Sequence, residues 1–221
     1  MATIYTIHPD TPQTREIEHV RGALREGAVM LYPTDTVYAI GCDLNSKTAV
    51  ERVRQIKQLS NDKPLTFLCS SLSNIAHYAA VTDSAYRTMR RLIPGPFTFL
   101  LPATKLVPRL VMNPKRKTTG IRVPDHAICQ ALLNALENPI ISTSANPIDD
   151  MESEIRKSDR VSKAELFDCF EKRVDVMIDD GLDLTYHVST ILDLTTDEPT
   201  MIRRGLGWEA IPPWVVEVGA G

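Results

Sequence analysis

Val29-Met30-Leu31-Tyr32-Pro33-Thr34-Asp35-Thr36-Val37-Tyr38-Ala39-Ile40-Gly41 reads as an apolar strand running into a proline-led turn crowded with short hydroxyl and carboxylate side chains. Strand ends in α/β sheets are where ligands bind, so Thr34 and Thr36 are candidates to present hydroxyls to a small polar ligand, while Tyr38 and Ile40 pack. A turn closed by its own side chains, with no ligand, is the competing reading of this segment.

Outward from this stretch, strand-like runs alternate with helical patterns. Upstream, Thr14 is placed to cap a helix with Ile17, Val20, Ala23 and Leu24 on one face and Gly27 at its end. Downstream, Asn45 or Thr48 opens a helix through Val53 and Ile56. Strands are predicted at Leu65–Leu68, Phe97–Leu101, Gly120–Val123, Ile140–Ile141, Val176–Ile178 and Val188–Leu192, with a helix from Ile128 to Leu136. The order predicts an α/β (α+β) fold in which flanking helices cover a twisted, largely mixed or antiparallel sheet. Pro147 to Lys163 is polar enough to cross the surface as a loop or short helix, and Trp208 to Gly221 reads as a docked tail.

The chain has 221 residues, 43% hydrophobic and 24% charged, which suits a single domain spanning 1–221. With 28 acidic and 25 basic residues the net charge is −3, so any nucleic-acid surface must be a local patch. Cys42, Cys69, Cys129 and Cys169 are widely spaced and form no metal-binding pattern; they read as buried free thiols, and no dedicated metal site is expected. No apolar run approaches the ~20 residues needed to span a bilayer. A cytoplasmic protein with reduced cysteines is therefore expected.

Four further segments carry candidate chemistry. Lys57-Gln58-Leu59-Ser60-Asn61-Asp62-Lys63 places two lysines around a polar turn, either solvated or converging on phosphate oxygens. In Thr118-Thr119-Gly120-Ile121-Arg122-Val123, an arginine interrupts an apolar strand and needs an anionic partner, either a ligand carboxylate or an internal Asp35, Asp125 or Asp193. Ser142-Thr143-Ser144-Ala145-Asn146 ends a strand in small hydrogen-bonding residues. Ser189–Asp193 followed by Met201–Gly205 forms a strand pair that ends in the cations Arg203 and Arg204.

In order, YPTDTVYAIG (32–41), KQLSNDKPL (57–65), PGPFTFLL (94–101), TTGIRVPD (118–125), STSAN (142–146), STILDL (189–194) and IRRG (202–205) resemble the YrdC/YciO family, known for threonylcarbamoyl-AMP synthases of tRNA modification. The resemblance runs from about Val29 to Gly207, and Ile7-His8-Pro9-Asp10, the Arg122 segment and Ser142-Thr143-Ser144 look most like the YciO branch. It implies a YrdC/RibB-like fold with a concave basic cavity. It also implies threonylcarbamoyl-adenylate chemistry: L-threonine, bicarbonate and ATP give threonylcarbamoyl-AMP and pyrophosphate, or the adenylate is reversed or hydrolysed.

Carried over by position, Thr34, Thr36, Arg122, Ser142 and Ser189 match the L-threonine site. Lys57, Lys63, Thr118, Ser144, Asn146 and Arg203 match positions that hold the ATP or AMP, with Lys57 also the candidate catalytic cation and Mg²⁺ arriving with ATP. Synthases of the family usually carry Lys-x-Arg where this chain has Lys57-Gln58-Leu59. Family analogy further implies double-stranded RNA, tRNA or ribosome binding. Arg52, Arg54 and Lys57 on one helix and Lys115-Arg116-Lys117 are the candidate phosphate contacts, in a non-catalytic alternative or alongside catalysis.

Overall fold

The computed structural model describes residues 1–59, 65–145 and 161–217. Lys63, Asn146 and most of the polar 147–163 stretch lie outside these residues. In chain order the elements are β1 (Thr3–Thr6), α1 (Thr14–Arg25), β2 (Val29–Tyr32), β3 (Ala39–Asp43), α2 (Lys47–Ile56), β4 (Thr66–Leu68), α3 (Leu72–Tyr78) and α4 (Asp83–Leu92). There follow β5 (Phe97–Pro102), β6 (Thr118–Arg122), α5 (Ala127–Leu136), β7 (Ile140–Ser144), α6 (Lys163–Phe170), β8 (Val176–Asp179), β9 (Thr190–Asp193), β10 (Thr200–Arg203) and β11 (Val216–Glu217). The strands form one mixed sheet in the order β1-β8-β2-β3-β7-β4-β6-β5-β9-β10-β11.

The apolar run of β2 is buried on both faces because side chains from other elements pack against each of them. Val29 and Leu31 join the larger core, to which α2 contributes Val50 and Val53 and α4 contributes Met89. Met30 and Tyr32 point the other way, toward α1 and α5, where Val20, Leu24, Ile128 and Leu132 are fully buried. That is the period-2 alternation of a strand with both faces covered.

Several boundaries differ from the sequence reading. Helix α1 begins at Thr14 with Gln13 in the cap position and no side-chain cap bond, so Thr14 is the first helical residue, not the cap. Helix α2 is capped by Ser46, whose hydroxyl accepts from Ala49 N–H, rather than by Asn45 or Thr48. The elements β1, α3, α4, α6 and β11 were not expected. β1 is short and largely exposed, so it lacks an alternating apolar signal. Helix α4 carries Ala85, Met89 and Leu92 on its buried face, a spacing diluted by arginines. The docked tail is present: Trp214 Nε1 donates to Thr88 Oγ1 of α4 at 3.3 Å, and β11 pairs parallel with β10.

Two local devices hold the centre. Gly41 of β3 lies between Met30 of β2 and Ser142 of β7 in register. A Cβ there would sit 2.7 Å from Ile141 O and 2.9 Å from the Tyr32 ring. The missing side chain lets Tyr32 cross β3 and donate its O–H to Ser142 Oγ at 2.6 Å. Gly41→Ala is expected to destabilise the protein by about 1–3 kcal/mol through overpacking, read as a lowered urea midpoint with unchanged slope.

Asp175, just before β8, accepts from Val29 N–H at 2.8 Å and from Arg52 of α2 at 2.7 and 3.2 Å. Partial burial raises its carboxyl pKa, but the bonds from Arg52 and Val29 outweigh it and hold the group below the ordinary 3.8. The stabilisation is full above that ordinary value and disappears as pH falls through the lowered one. Asp175→Asn is therefore expected to be less stable than the parent at pH 7, with the gap in urea midpoint closing toward pH 3.

Candidate functional site

Register brings the polar residues of distant segments onto one sheet face. Gly41, Ser142, Thr66 and Gly120 are successive partners across β3, β7, β4 and β6, and directly opposed residues share a face. Thr118 and Arg122, two residues to either side of Gly120, point the same way, as does Ser144 beside Ser142. Around Gly120 lie the side chains of Thr66 and Thr98, with Leu100 of β5 directly opposite it. A Cβ on Gly120 would meet Thr66 Oγ1 at 3.2 Å, so the glycine keeps this floor open.

Arg122 closes one end. Its Nη1 donates to Thr36 Oγ1 at 2.8 Å and its Nη2 to Asp35 Oδ1 at 2.5 Å, within an ion pair whose side chains are about nine-tenths buried. Asp35 Oδ2 also accepts from Asp125 N–H at 3.1 Å. Thr34 Oγ1 accepts from Thr36 N–H, donates to Val37 O, and lies 3.1 Å from Thr36 Oγ1. Of the alternatives the sequence left open for Arg122, the internal pair is with Asp35; Asp193 instead pairs with Arg116 at 2.9 Å. The guanidinium has five N–H donors, and its buried Nε has no hydrogen-bond partner.

A second cluster lies across β5, β9 and β10. Ser189 Oγ is 2.9 Å from Thr98 Oγ1, and Arg203 donates through Nε and Nη2 to Ser189 O and through Nη2 to Ser189 Oγ. Gly205 permits this closeness, since a Cβ there would collide with Val188 O at 2.4 Å. Thr98 is one residue from Phe99, the partner of Ile121, which puts it in the row of Arg122.

The structure therefore joins Thr34, Thr36 and Arg122 directly and joins Ser189 to Arg203. Ser142, Ser144 and Thr118 come onto the same face by register. Lys57 ends α2 and is only 3% exposed. Leu59 turns inward and packs against the main core. The three cations do not form an exposed face on α2: Arg52 is paired with Asp175, Arg54 is buried and donates to Leu110 O, and Lys57 is buried. Spacing alone made these cations look like one face, but the helix lies against the core there. Lys115, Arg116 and Lys117 are exposed, with Arg116 held by Asp193.

Asp35, Thr66, Thr98 and Tyr32 escaped the sequence reading as site residues. The signal for two of them was visible, because Leu65-Thr66-Phe67 and Phe97-Thr98-Phe99 each insert one hydroxyl into an apolar strand with period two. His126, the N-cap residue of α5, has a buried Nδ1 without a partner. Burial lowers its pKa despite the opposing charges of Asp35 and Asp180, so it is neutral at pH 7. Cys129 Sγ donates to Pro33 O beneath the turn, and burial pushes its thiol pKa well up, as it does for Cys42 and Cys69 to about 12. These three thiols are packing groups, inert as nucleophiles. No helix among the described residues is long and apolar enough to cross a membrane.

The chain is similar in sequence and fold to known proteins. The family model for Sua5, YciO and YrdC proteins, described as "Telomere recombination", matches residues 22–205. The uncharacterized protein YciO of Escherichia coli (strain K12) is 42% identical over 207 residues, 94% of this chain and 97% of its own. The E. coli YciO crystal structure superposes with a TM-score of 0.83 over the same shares. A threonylcarbamoyl-AMP synthase of Vibrio vulnificus (strain YJ016) is 35% identical over 133 residues, 59% of this chain and 71% of its own. P. abyssi Sua5 complexed with L-threonine is 27% identical with a TM-score of 0.82, covering 98% of this chain and 63% of that one. With most of its length matched by the family model and nearly all of it by YciO, the chain belongs to the Sua5/YciO/YrdC family.

Proposed function

We propose that this chain acts in threonylcarbamoyl-adenylate chemistry linked to tRNA modification, with L-threonine seated against Arg122 and the hydroxyl-lined sheet face. The observation that carries the reading is the guanidinium of Arg122. It is buried, it donates two N–H···O bonds among the described residues, and its Nε has no acceptor among them. An unsatisfied buried donor on a charged group costs more than the ~1–3 kcal/mol typical of a neutral one. A carboxylate supplied by an amino-acid ligand removes that cost and accepts from the remaining donors. Thr34, Thr36, Ser142 and Ser189 are the hydroxyls available to the rest of the molecule. Relatives named as threonylcarbamoyl-AMP synthases, and the Sua5 structure with L-threonine, support the choice of amino acid.

In the synthetic direction, the threonine amine and bicarbonate give a carbamate and water. A carbamate oxygen then attacks the α-phosphorus of ATP, the bond to the β-phosphate breaks, and pyrophosphate leaves. The reaction needs positioning and cations more than a side-chain nucleophile. Lys57, Lys63, Thr118, Ser144, Asn146 and Arg203 are the proposed contacts to the nucleotide, which brings Mg²⁺ as part of the substrate; Lys57 is the proposed catalytic cation. With Leu59 packed inward, the phosphate end lacks the arginine usual in synthases. That favours a route that does not expel pyrophosphate, in which water displaces AMP from a preformed adenylate.

L-Threonine is expected to bind the parent in calorimetry, and Arg122→Lys to weaken it by at least about tenfold, since an ammonium cannot supply the fork of donors. Equal affinity in a variant with unchanged melting would remove Arg122 from the site. For direction, ATP-dependent pyrophosphate release with L-threonine and bicarbonate is expected to be slow in the parent and to rise on the order of a hundredfold in Leu59→Arg. If that rate does not change, the missing arginine does not set this chain's chemistry.

A further inference from the structure

We infer that the groove between α4 and the C-terminal tail is a binding site for single-stranded nucleic acid, separate from the sheet-face site. The groove has a volume of about 1030 Å³, at the top of the ~300–1,000 Å³ usual for a small-molecule cleft. Arg87, Arg90 and Arg91 line it from α4. Their i, i+3, i+4 spacing puts all three on one helix face.

All three are exposed, and none has a carboxylate partner among the described residues. The contrast with α2 is direct: there the cations are paired or buried, whereas here they remain available. Two aromatic side chains accompany them. Tyr86 and Trp214 line the same groove and are each 44% exposed. Trp214 is fixed by its bond to Thr88 and carries the Arg91 guanidinium 4.8 Å from its ring centroid.

Cations beside presented rings are the two ingredients of a single-strand site, the first tracking phosphates and the second stacking bases. Asp197 and Glu198 form part of the lining. A duplex, whose bases are already stacked on one another, would leave the exposed rings unused. An acidic peptide would satisfy the arginines but would leave the exposed rings without stacking partners.

The test uses the full chain and a fluorescein-labelled single-stranded RNA of about twelve nucleotides, within the span of known single-strand sites. Fluorescence anisotropy is expected to show binding that weakens with salt. In the double variant Arg87→Glu/Arg90→Glu, affinity is expected to fall by about tenfold or more, with a salt slope shallower by about 1.4, or ~0.7 for each lost phosphate contact. Tyr86→Ala is expected to weaken binding about tenfold, whereas Lys172→Glu, before β8 at the other end of the sheet from β10 and β11, leaves it unchanged. Circular dichroism melting checks that each variant is folded.

No binding by the parent at low salt, or binding that survives the double charge reversal, overturns the inference. So does an equally tight duplex. Displacement of the RNA by polyglutamate at equal charge concentration overturns it in favour of an acidic protein partner.

Discussion

The ion pair between Arg122 and Asp35 joins two segments that the chain separates by almost ninety residues and the sheet by several strands. Arg122 stands on β6 and Asp35 in the turn after β2, with β3, β7 and β4 between them. The pair therefore ties the turn after β2 to a strand it does not adjoin in the sheet. Asp125 N–H on the same carboxylate ties down the start of the segment leading to α5, and the Thr34–Thr36 hydroxyl pair orders the turn from the other side. A buried ion pair of this kind costs desolvation that its own attraction barely returns. Its value lies in position: it fixes a guanidinium at the end of a hydroxyl-lined floor with donors left over.

That floor depends on what the strands omit. Between Tyr32 and Arg122 the sheet offers Gly41, Ser142, Thr66 and Gly120 in successive strands, so the backbone lies close beneath the surface. Tyr32 uses the gap at Gly41 to reach Ser142, which sets the orientation of that hydroxyl. At the other end, Gly205 lets β10 approach Ser189 closely enough for Arg203 to grip both its carbonyl and its hydroxyl. Small residues at these positions serve the site and the fold at once, and a methyl group at either glycine would disturb both.

The fold was legible where one strong pattern filled a segment: the buried run of β2, the apolar stripes of α1 and α5, and the β5, β6 and β7 strands. It was illegible where the pattern is short or shared. The Ser162–Glu165 capping box that opens α6 is complete in the structure, yet it follows a polar stretch whose composition hid it. The site was half legible. Thr34, Thr36, Arg122, Ser142 and Ser189 stand out because each breaks or ends an apolar strand. Asp35 did not stand out as the partner of Arg122, because three aspartates satisfied the same chemical need and only the order of strands selects among them.

Charge shows the same limit in its sharpest form. Arg52, Arg54 and Lys57 lie within six residues and suggest a cationic helix face, yet the first is neutralised by Asp175 and the other two are drawn into the protein. Arg87, Arg90 and Arg91 look no different in the sequence, yet they line an open groove with no acidic partner among the described residues. What separates the two helices is their neighbours. Helix α2 packs over β2 and β3, where Asp175 reaches it from the start of β8. Helix α4 buries Ala85, Thr88, Met89 and Leu92 and leaves its arginines to the tail, whose contributions there are an indole and a valine. A run of basic residues therefore stays open to a ligand only where the tertiary structure neither buries it nor pairs it with a carboxylate, and of these two helices only α4 keeps its arginines exposed and outside any ion pair among the described residues.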